Sequence, residues 1–169
     1  REELVALAAV VAARDGIYTS HMRSESDHLL AAIEETLAVG RASGVRLEIS
    51  HLKTSGRRNW ALVDGALDLI RAARREGLDV AADRYPYTAA ATDLDVLFPA
   101  WAEEGGPPAV LARLRDPVQR ARIREDLLAA HADDYWGSVT IGSTVHPDTR
   151  RFRGLALPEV AAQLGLEPV

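Results

Sequence analysis

The sequence predicts an α/β fold built on a parallel sheet, and three observations carry that expectation. Helix-like and strand-like stretches alternate from Glu2 to Tyr87, and the connections between them are short. Two strand-like runs, Tyr18-Thr19-Ser20-His21-Met22-Arg23 and Ile49-Ser50-His51-Leu52-Lys53, end alike, in a histidine followed two residues later by a cation. The histidines lie thirty positions apart. That is about the length of one strand, one helix and two loops in a βα repeat. Consecutive parallel strands with right-handed crossovers bring both imidazoles to the same end of one sheet.

Each element has a local reason. Glu2 to Arg14 sets Leu4, Leu7, Ala8 and Val11 at helical spacing, and Asp15-Gly16 ends the helix. Ile17 to Met22 is strand-like. Ser26 or Asp27 is placed to cap a second helix, whose stripe is Leu29, Leu30, Ile33, Leu37 and Val39, loosened from Gly40 to Gly44. Val45 to Ser50 is the second strand, with Arg46 and Glu48 on one side. After the polar loop Thr54-Ser55-Gly56-Arg57-Arg58, Asn59 is placed to cap a third helix through Arg75, buried along Leu62, Ala66, Leu69, Ile70 and Ala73 and stopped by Gly77. Asp79 to Tyr85 is the third strand and runs into Tyr85-Pro86-Tyr87.

The pattern then changes. Thr88 to Leu94 is small and polar, and Phe98 to Pro108 carries Trp101, two glycines and three prolines. Asp116-Pro117 opens a helix to about Ala132, with proline in its first turn. Val139 to Thr144 is a short fourth strand, His146 to Gly154 a basic loop, and Leu157 to Leu164 a helix begun by Pro158. The expected organisation is a sheet-bearing region over 1–94, a mostly helical insertion over 95–137, and a return strand and helix over 138–169. Three βα units leave two sheet edges open, which invites pairing with a second copy; a complete barrel would close them.

Composition limits the functional classes. The chain has 169 residues, enough for one ordinary domain with a sizeable core. Apolar residues make up 47% and charged residues 27%, a globular balance. A net charge of −5 gives no general attraction to nucleic acid or to an anionic membrane, and no apolar run approaches the ~20 residues of a membrane span. With no cysteine, disulfides and thiolate ligands are excluded, so a metal site must use histidines and carboxylates. The lack of cysteine fits a cytoplasmic setting. Arg1-Glu2-Glu3-Leu4 reads as the inside of a helix begun earlier, so the expectation is a piece of a longer chain.

His21 and His51 are the candidate metal ligands. Isolated histidines are more often satisfied by hydrogen bonds in a core or loop, but the matched contexts favour ligation by two converging neutral imidazoles, half of a zinc (Zn2+) site. Arg23 and Lys53 are either solvated rim charges or cations for an anionic part of a substrate. Glu25 either orients an imidazole or, with Asp27, caps the following helix, and His28 is expected to be exposed. Tyr85 and Tyr87 are either a packed pair or hydrogen-bond donors to a substrate oxygen, and Asp83 is structural or catalytic. Trp60, Trp101 and Trp136 lack basic interleaving and suggest packing. Asp133-Asp134 and Arg113, Arg115, Arg120, Arg122 and Arg124 read as solvated surface. Walker, dinucleotide and Ser-His-Asp motifs are absent.

From Tyr18 to Leu94 the sequence resembles the D-aminoacylase (N-acyl-D-amino-acid deacylase) branch of the amidohydrolase superfamily. The resemblance is carried by Thr19-Ser20-His21-Met22-Arg23-Ser24-Glu25, Ile49-Ser50-His51-Leu52-Lys53 and Ala82-Asp83-Arg84-Tyr85-Pro86-Tyr87-Thr88-Ala89, in that order and spacing. It continues more weakly through the arginine-rich helix after Asp116-Pro117 and the segment Leu155 to Leu166. It implies about three central units of a distorted (β/α)8 TIM-like barrel that uses zinc to hydrolyse the acyl amide of N-acyl-D-amino acids. His21 and His51 would be zinc ligands, Lys53 and Tyr85 would bind the substrate carboxylate with Arg23 as a further candidate, and the insertion would cover the active site.

The departures are equally specific. The family's His-x-His pair and its cysteine ligand have no counterpart here. The catalytic aspartate and an arginine for the substrate carboxylate are expected outside this sequence, so no catalytic base is assigned. Where the family often has a serine after Tyr-Pro-Tyr, Ala91 stands, with Thr92 beside it. The expectation is a fragment of a zinc deacylase, incomplete alone. The alternatives are another amidohydrolase, such as a cyclic-amide hydrolase, and a non-catalytic truncated homologue. Tyr-Pro-Tyr argues for the deacylase branch.

Overall fold

The structure is a computed structural model that describes residues 1–169 apart from the side chain of Asp133. The Asp133 half of the expected Asp133-Asp134 surface pair therefore lies outside what is described. The chain divides into two compact units, Arg1–Thr88 and Ala89–Val169.

In the first unit, helices and strands alternate as α1 (Glu2–Ala12), β1 (Ile17–Ser20), α2 (Leu29–Ser43), β2 (Arg46–Ile49), α3 (Leu62–Arg75) and β3 (Val80–Ala82). The strands form one parallel sheet in the order β1-β2-β3. The register pairs Ser20 with Ile49, and Ile49 with Ala82, so the carboxyl ends of all three strands lie level. The residues that follow those ends, His21, His51 and Asp83, are thereby gathered along one edge.

The core explains this arrangement. α2 buries Leu29, Ala32, Ile33, Thr36, Leu37, Val39 and Gly40, the stripe a 3.6-residue period requires. It meets Leu47 and Ile49 of β2, Val45, Val80 of β3, and Ala66, Ile70 and Ala73 of α3 in one cluster. Each fully buried Leu or Ile contributes about 1.5–3 kcal/mol relative to exposure. Gly40 lets α2 approach the sheet: a Cβ there would meet Leu47 Cδ1 at 2.5 Å. Gly44 ends α2 in a left-handed conformation (φ 71°), its N–H donating to the Gly40 carbonyl at 2.8 Å.

Several local expectations are corrected. Neither Ser26 nor Asp27 caps α2; His28 occupies the cap without a side-chain bond, and it is exposed. Asp27 instead accepts two hydrogen bonds from Arg58 at 3.0 and 2.8 Å. Asn59 does not cap α3, because a 3-10 turn over Arg57–Asn59 intervenes and its amide donates to the Ser55 carbonyl at 2.7 Å. β3 stops at Ala82, so Tyr85 and Tyr87 lie in the following loop. Tyr87 is 71% exposed and forms no packed pair.

The second unit is helical: α4 (Ala100–Glu103), α5 (Pro107–Arg115), α6 (Pro117–Ala130) and α7 (Leu157–Leu164), with 3-10 turns at Asp133–Ser138 and Pro147–Phe152. Asp116 caps α6, accepting from the N–H groups of Val118 and Gln119 at 2.9 and 3.0 Å. The expected fourth strand is only a bridge between Thr140 and Ala156, with Ile141 and Leu155 hydrogen-bonded beside it; Gly142 follows at once and the ladder stops. Ala102, Ile123, Leu127 and Trp136 form this unit's core. The arginines here are not merely solvated. Arg113 donates to the carbonyls of Ala102 and Glu104, and Arg122 lies over the Trp101 ring at 4.1 Å. Among the described residues, no helix is long and apolar enough to cross a membrane.

Candidate metal centre

His21 directly follows the last residue of β1, and His51 follows β2 by two residues. β2 turns sharply at its end, with His51 in the left-handed region at φ 44°. Asp83, at the end of β3, holds that turn: its Oδ1 accepts from the His51 N–H at 2.7 Å and its carbonyl accepts from the Leu52 N–H at 3.0 Å. The turn aims the His51 ring back toward β1.

The two imidazoles meet. Nε2 of His51 lies 2.5 Å from Nδ1 of His21, and the ring centroids are 4.5 Å apart with planes tilted by 52°. Two ring nitrogens thus point at one locus from adjacent strands. In a tetrahedral zinc site with Zn–N near 2.0–2.1 Å, such nitrogens would sit about 3.3 Å apart. The pair needs only a small side-chain separation to fit half of such a site. Among the described residues, no group of three or more His, Cys, Asp or Glu side chains is arranged to hold a metal ion. The fit is therefore to two ligands, with other donors required.

Glu25 and Lys53 stand behind His51. Glu25 Oε1 is 2.7 Å from His51 Nδ1 and Glu25 Oε2 is 2.5 Å from Lys53 Nζ. Lys53 Nζ also donates to the His51 carbonyl at 3.1 Å and lies 5.8 Å from the centre of the Tyr85 ring. Lys53 is the only lysine in the sequence. All three side chains of the His51–Glu25–Lys53 group are half-buried. An ammonium has three N–H donors, and His51 Nδ1, 2.9 Å away, is a third acceptor within reach of this one.

Of the residues singled out from the sequence, His21, His51, Lys53 and Tyr85 come together, and Arg23 does not join them. Its guanidinium makes two hydrogen bonds to Glu35 on α2, at 2.9 and 3.1 Å. That pair lines a cleft of about 260 Å³ with Tyr18, Ser20, His21 and Thr36. Arg23 holds the Glu35 carboxyl below its ordinary range by hydrogen bonding, and Glu35 in turn raises Arg23. Asp83 and Glu25 are the residues the sequence left ambiguous. Asp83 braces the His51 turn, and Glu25 touches His51 and Lys53 instead of capping α2.

No family model matches the chain. It is 43% identical over 102 residues to an N-acyl-D-glutamate deacylase and 42% identical over 93 residues to a D-aminoacylase, both of Alcaligenes xylosoxydans xylosoxydans. These matches cover 60% and 55% of this chain and 20% and 19% of those proteins. Among solved structures, it resembles an N-acyl-D-glutamate deacylase from Bordetella bronchiseptica complexed with zinc and a phosphonate inhibitor. The TM-score is 0.69 at 29% identity, covering 99% of this chain and 28% of that one. A D-aminoacylase structure matches at TM-score 0.63 and 26% identity, covering 99% and 27%. The resemblance to D-aminoacylases read from the motifs is thus borne out. The chain spans about a fifth of the length of the curated relatives.

Proposed function

We propose that this chain supplies part of the active centre of a zinc-dependent amidohydrolase that deacylates N-acyl-D-amino acids to a carboxylate and a free D-amino acid. The observation that carries the reading is the convergence of His51 Nε2 and His21 Nδ1 at the level ends of adjacent parallel strands. The similarity to deacylases over the same segment supports it. A relative described as having a binuclear metal centre, with one-metal activation, supports metal dependence.

In this reading His21 and His51 hold zinc, and further ligands come from outside the chain. Zinc, when bound, supplies a water that ionises near neutral pH and a positive charge beside the acyl carbonyl. Lys53 directs its ammonium charge at the amino-acid carboxylate, and Tyr85, beside it, offers a phenol to the same group. Fixing that carboxylate against the metal sets which enantiomer presents its amide bond. Arg23, neutralised by Glu35, is left with a lesser part. The general base that takes the water's proton comes from a residue outside this chain.

In this reading the sheet-bearing segment 1–94 is three units of a (β/α)8 barrel, 95–137 an insertion in that barrel's sequence, and 138–169 the segment that follows it. The setting is cytoplasmic, and open sheet edges pair with a second copy when the piece is alone.

The test is hydrolysis by the full-length protein, loaded with zinc, of N-acetyl-D-glutamate, N-acetyl-D-aspartate and N-acetyl-D-leucine beside a cyclic amide. Release of a free D-amino acid is expected. Ring opening with no D-amino acid released would overturn the reading.

A further inference from the structure

We infer that Arg23 and Glu35 form a strut that positions His21, and that Arg23 acts through this strut and not on the substrate. The inference rests on His21 being a metal ligand, and its test separates the two claims.

The two histidines are held in different ways. The His51 turn is braced by the Asp83 carboxylate, which accepts from the His51 N–H at 2.7 Å. His21 instead heads an irregular connection, residues 21–28, that runs from the end of β1 to α2. What fixes a ligand there must act through its neighbours. Met22, next in sequence, is buried in the core cluster that holds Leu29 and Ile33 of α2. Arg23 then reaches Glu35 on the same helix: Nε donates to Oε2 at 2.9 Å and Nη2 to Oε1 at 3.1 Å. Two bonds between one edge of a guanidinium and one carboxylate fix orientation as well as distance, which a single contact does not. Glu35 is a firm post, because Thr36 and Leu37 beside it are buried. The chain two residues beyond His21 is thereby fastened to α2, and the imidazole and the strut line one cleft.

The same contact argues against a substrate role. The Nε–Nη2 edge of Arg23 faces Glu35, whose carboxylate offsets the charge an anion would need. A pair this exposed adds little to global stability, so its loss leaves the fold in place. The consequence is local: without the strut, the connection and the His21 ring at its head are free to move.

Charge and geometry make different predictions here. By charge alone, removing Arg23 strengthens cation binding at His21 and removing Glu35 weakens it. A strut fails when either end is lost, so both substitutions weaken binding, and losing both ends costs no more than losing one.

The experiment is zinc competition titration of the full-length protein against a chromophoric chelator. It compares Arg23→Gln, Glu35→Gln and the double variant, with His21→Ala as the control. Roughly 10-fold weaker zinc binding is expected in each single variant, as for other groups that orient a metal ligand, and the same loss in the double variant. Kinetics at saturating zinc give the second readout: kcat falls alike in both single variants, with KM little changed. Tighter zinc binding in Arg23→Gln, losses that add in the double variant, or a KM raised in Arg23→Gln alone would each overturn the inference. If His21→Ala weakens zinc binding and the strut variants do not, the inference falls and the metal reading stands. If His21→Ala leaves zinc binding unchanged, the metal reading falls and the inference with it.

Discussion

The Asp83 carboxylate accepts a hydrogen bond from the His51 backbone N–H at 2.7 Å, joining the ends of two paired strands. His51 adopts φ 44° there, a conformation that costs a non-glycine residue of order 1 kcal/mol. The bond is what makes that turn tenable. Asp83→Ala should lower stability by about 1 kcal/mol, while Asp83→Asn, which keeps an acceptor oxygen, should lose less. Urea denaturation of both variants checks this, and an Ala variant as stable as the native chain would remove Asp83 from the turn.

The Lys53 ammonium lies 2.5 Å from Glu25 Oε2, 2.9 Å from His51 Nδ1 and 3.1 Å from the His51 carbonyl oxygen, beside the two histidines. In the full-length protein, Lys53→Ala should lower kcat/KM for N-acyl-D-amino acids by roughly a hundredfold, as expected when a charge-assisted contact is lost. Steady-state kinetics with zinc present make the check. An unchanged kcat/KM would take Lys53 out of the substrate site.

Asp116 makes α6 sensitive to acid. Its carboxyl lies below the ordinary value, chiefly because the Gln119 N–H bonds to it, with Val118 adding to the effect. A folded value below the unfolded one means the stabilisation is complete above the unfolded value and is lost as pH falls through the folded one. Asp116→Asn keeps the cap but not the charge, so it should match the native chain near neutral pH and lose less stability in acid. Asp116→Ala should be weaker at both. Urea midpoints across the acid range test this, and parallel acid curves for Asn and native would contradict it.

Gly40 is needed for close packing between α2 and β2. Gly40→Ala gains about 1 kcal/mol of helix propensity but drives a Cβ into fully buried Leu47. Overpacking of that kind costs about 1–3 kcal/mol, so the net change should be destabilising. A raised unfolding midpoint would mean that Leu47 moves aside freely.

Much of the first unit was legible because its signals are periodic. Ile33, Leu37, Ala66, Ile70 and Ala73 repeat at helical spacing, and they are buried. The position of His21 and His51 at one sheet edge followed from their spacing in a βα repeat. What could not be read was one-to-one partnership between polar groups distant in sequence. Glu25 has its backbone tied to Ser55 and its carboxylate to Lys53, and nothing near Glu25 in the sequence announces either. Arg23 follows His21 by two, as Lys53 follows His51, but Glu35 on α2 takes its guanidinium. The short strand expected at Val139 to Thr144 had local character but no sheet ladder to join beyond Ala156.

The central claim is that His21 and His51 ligate one metal ion together. It is tested most directly by titrating zinc into the isotopically labelled chain while following both imidazoles by NMR. The account predicts that the His51 Nε2 and His21 Nδ1 signals move with one common midpoint, and that His21→Ala abolishes the response at His51. Imidazoles that respond with separate midpoints, or a His51 response untouched by His21→Ala, would contradict it.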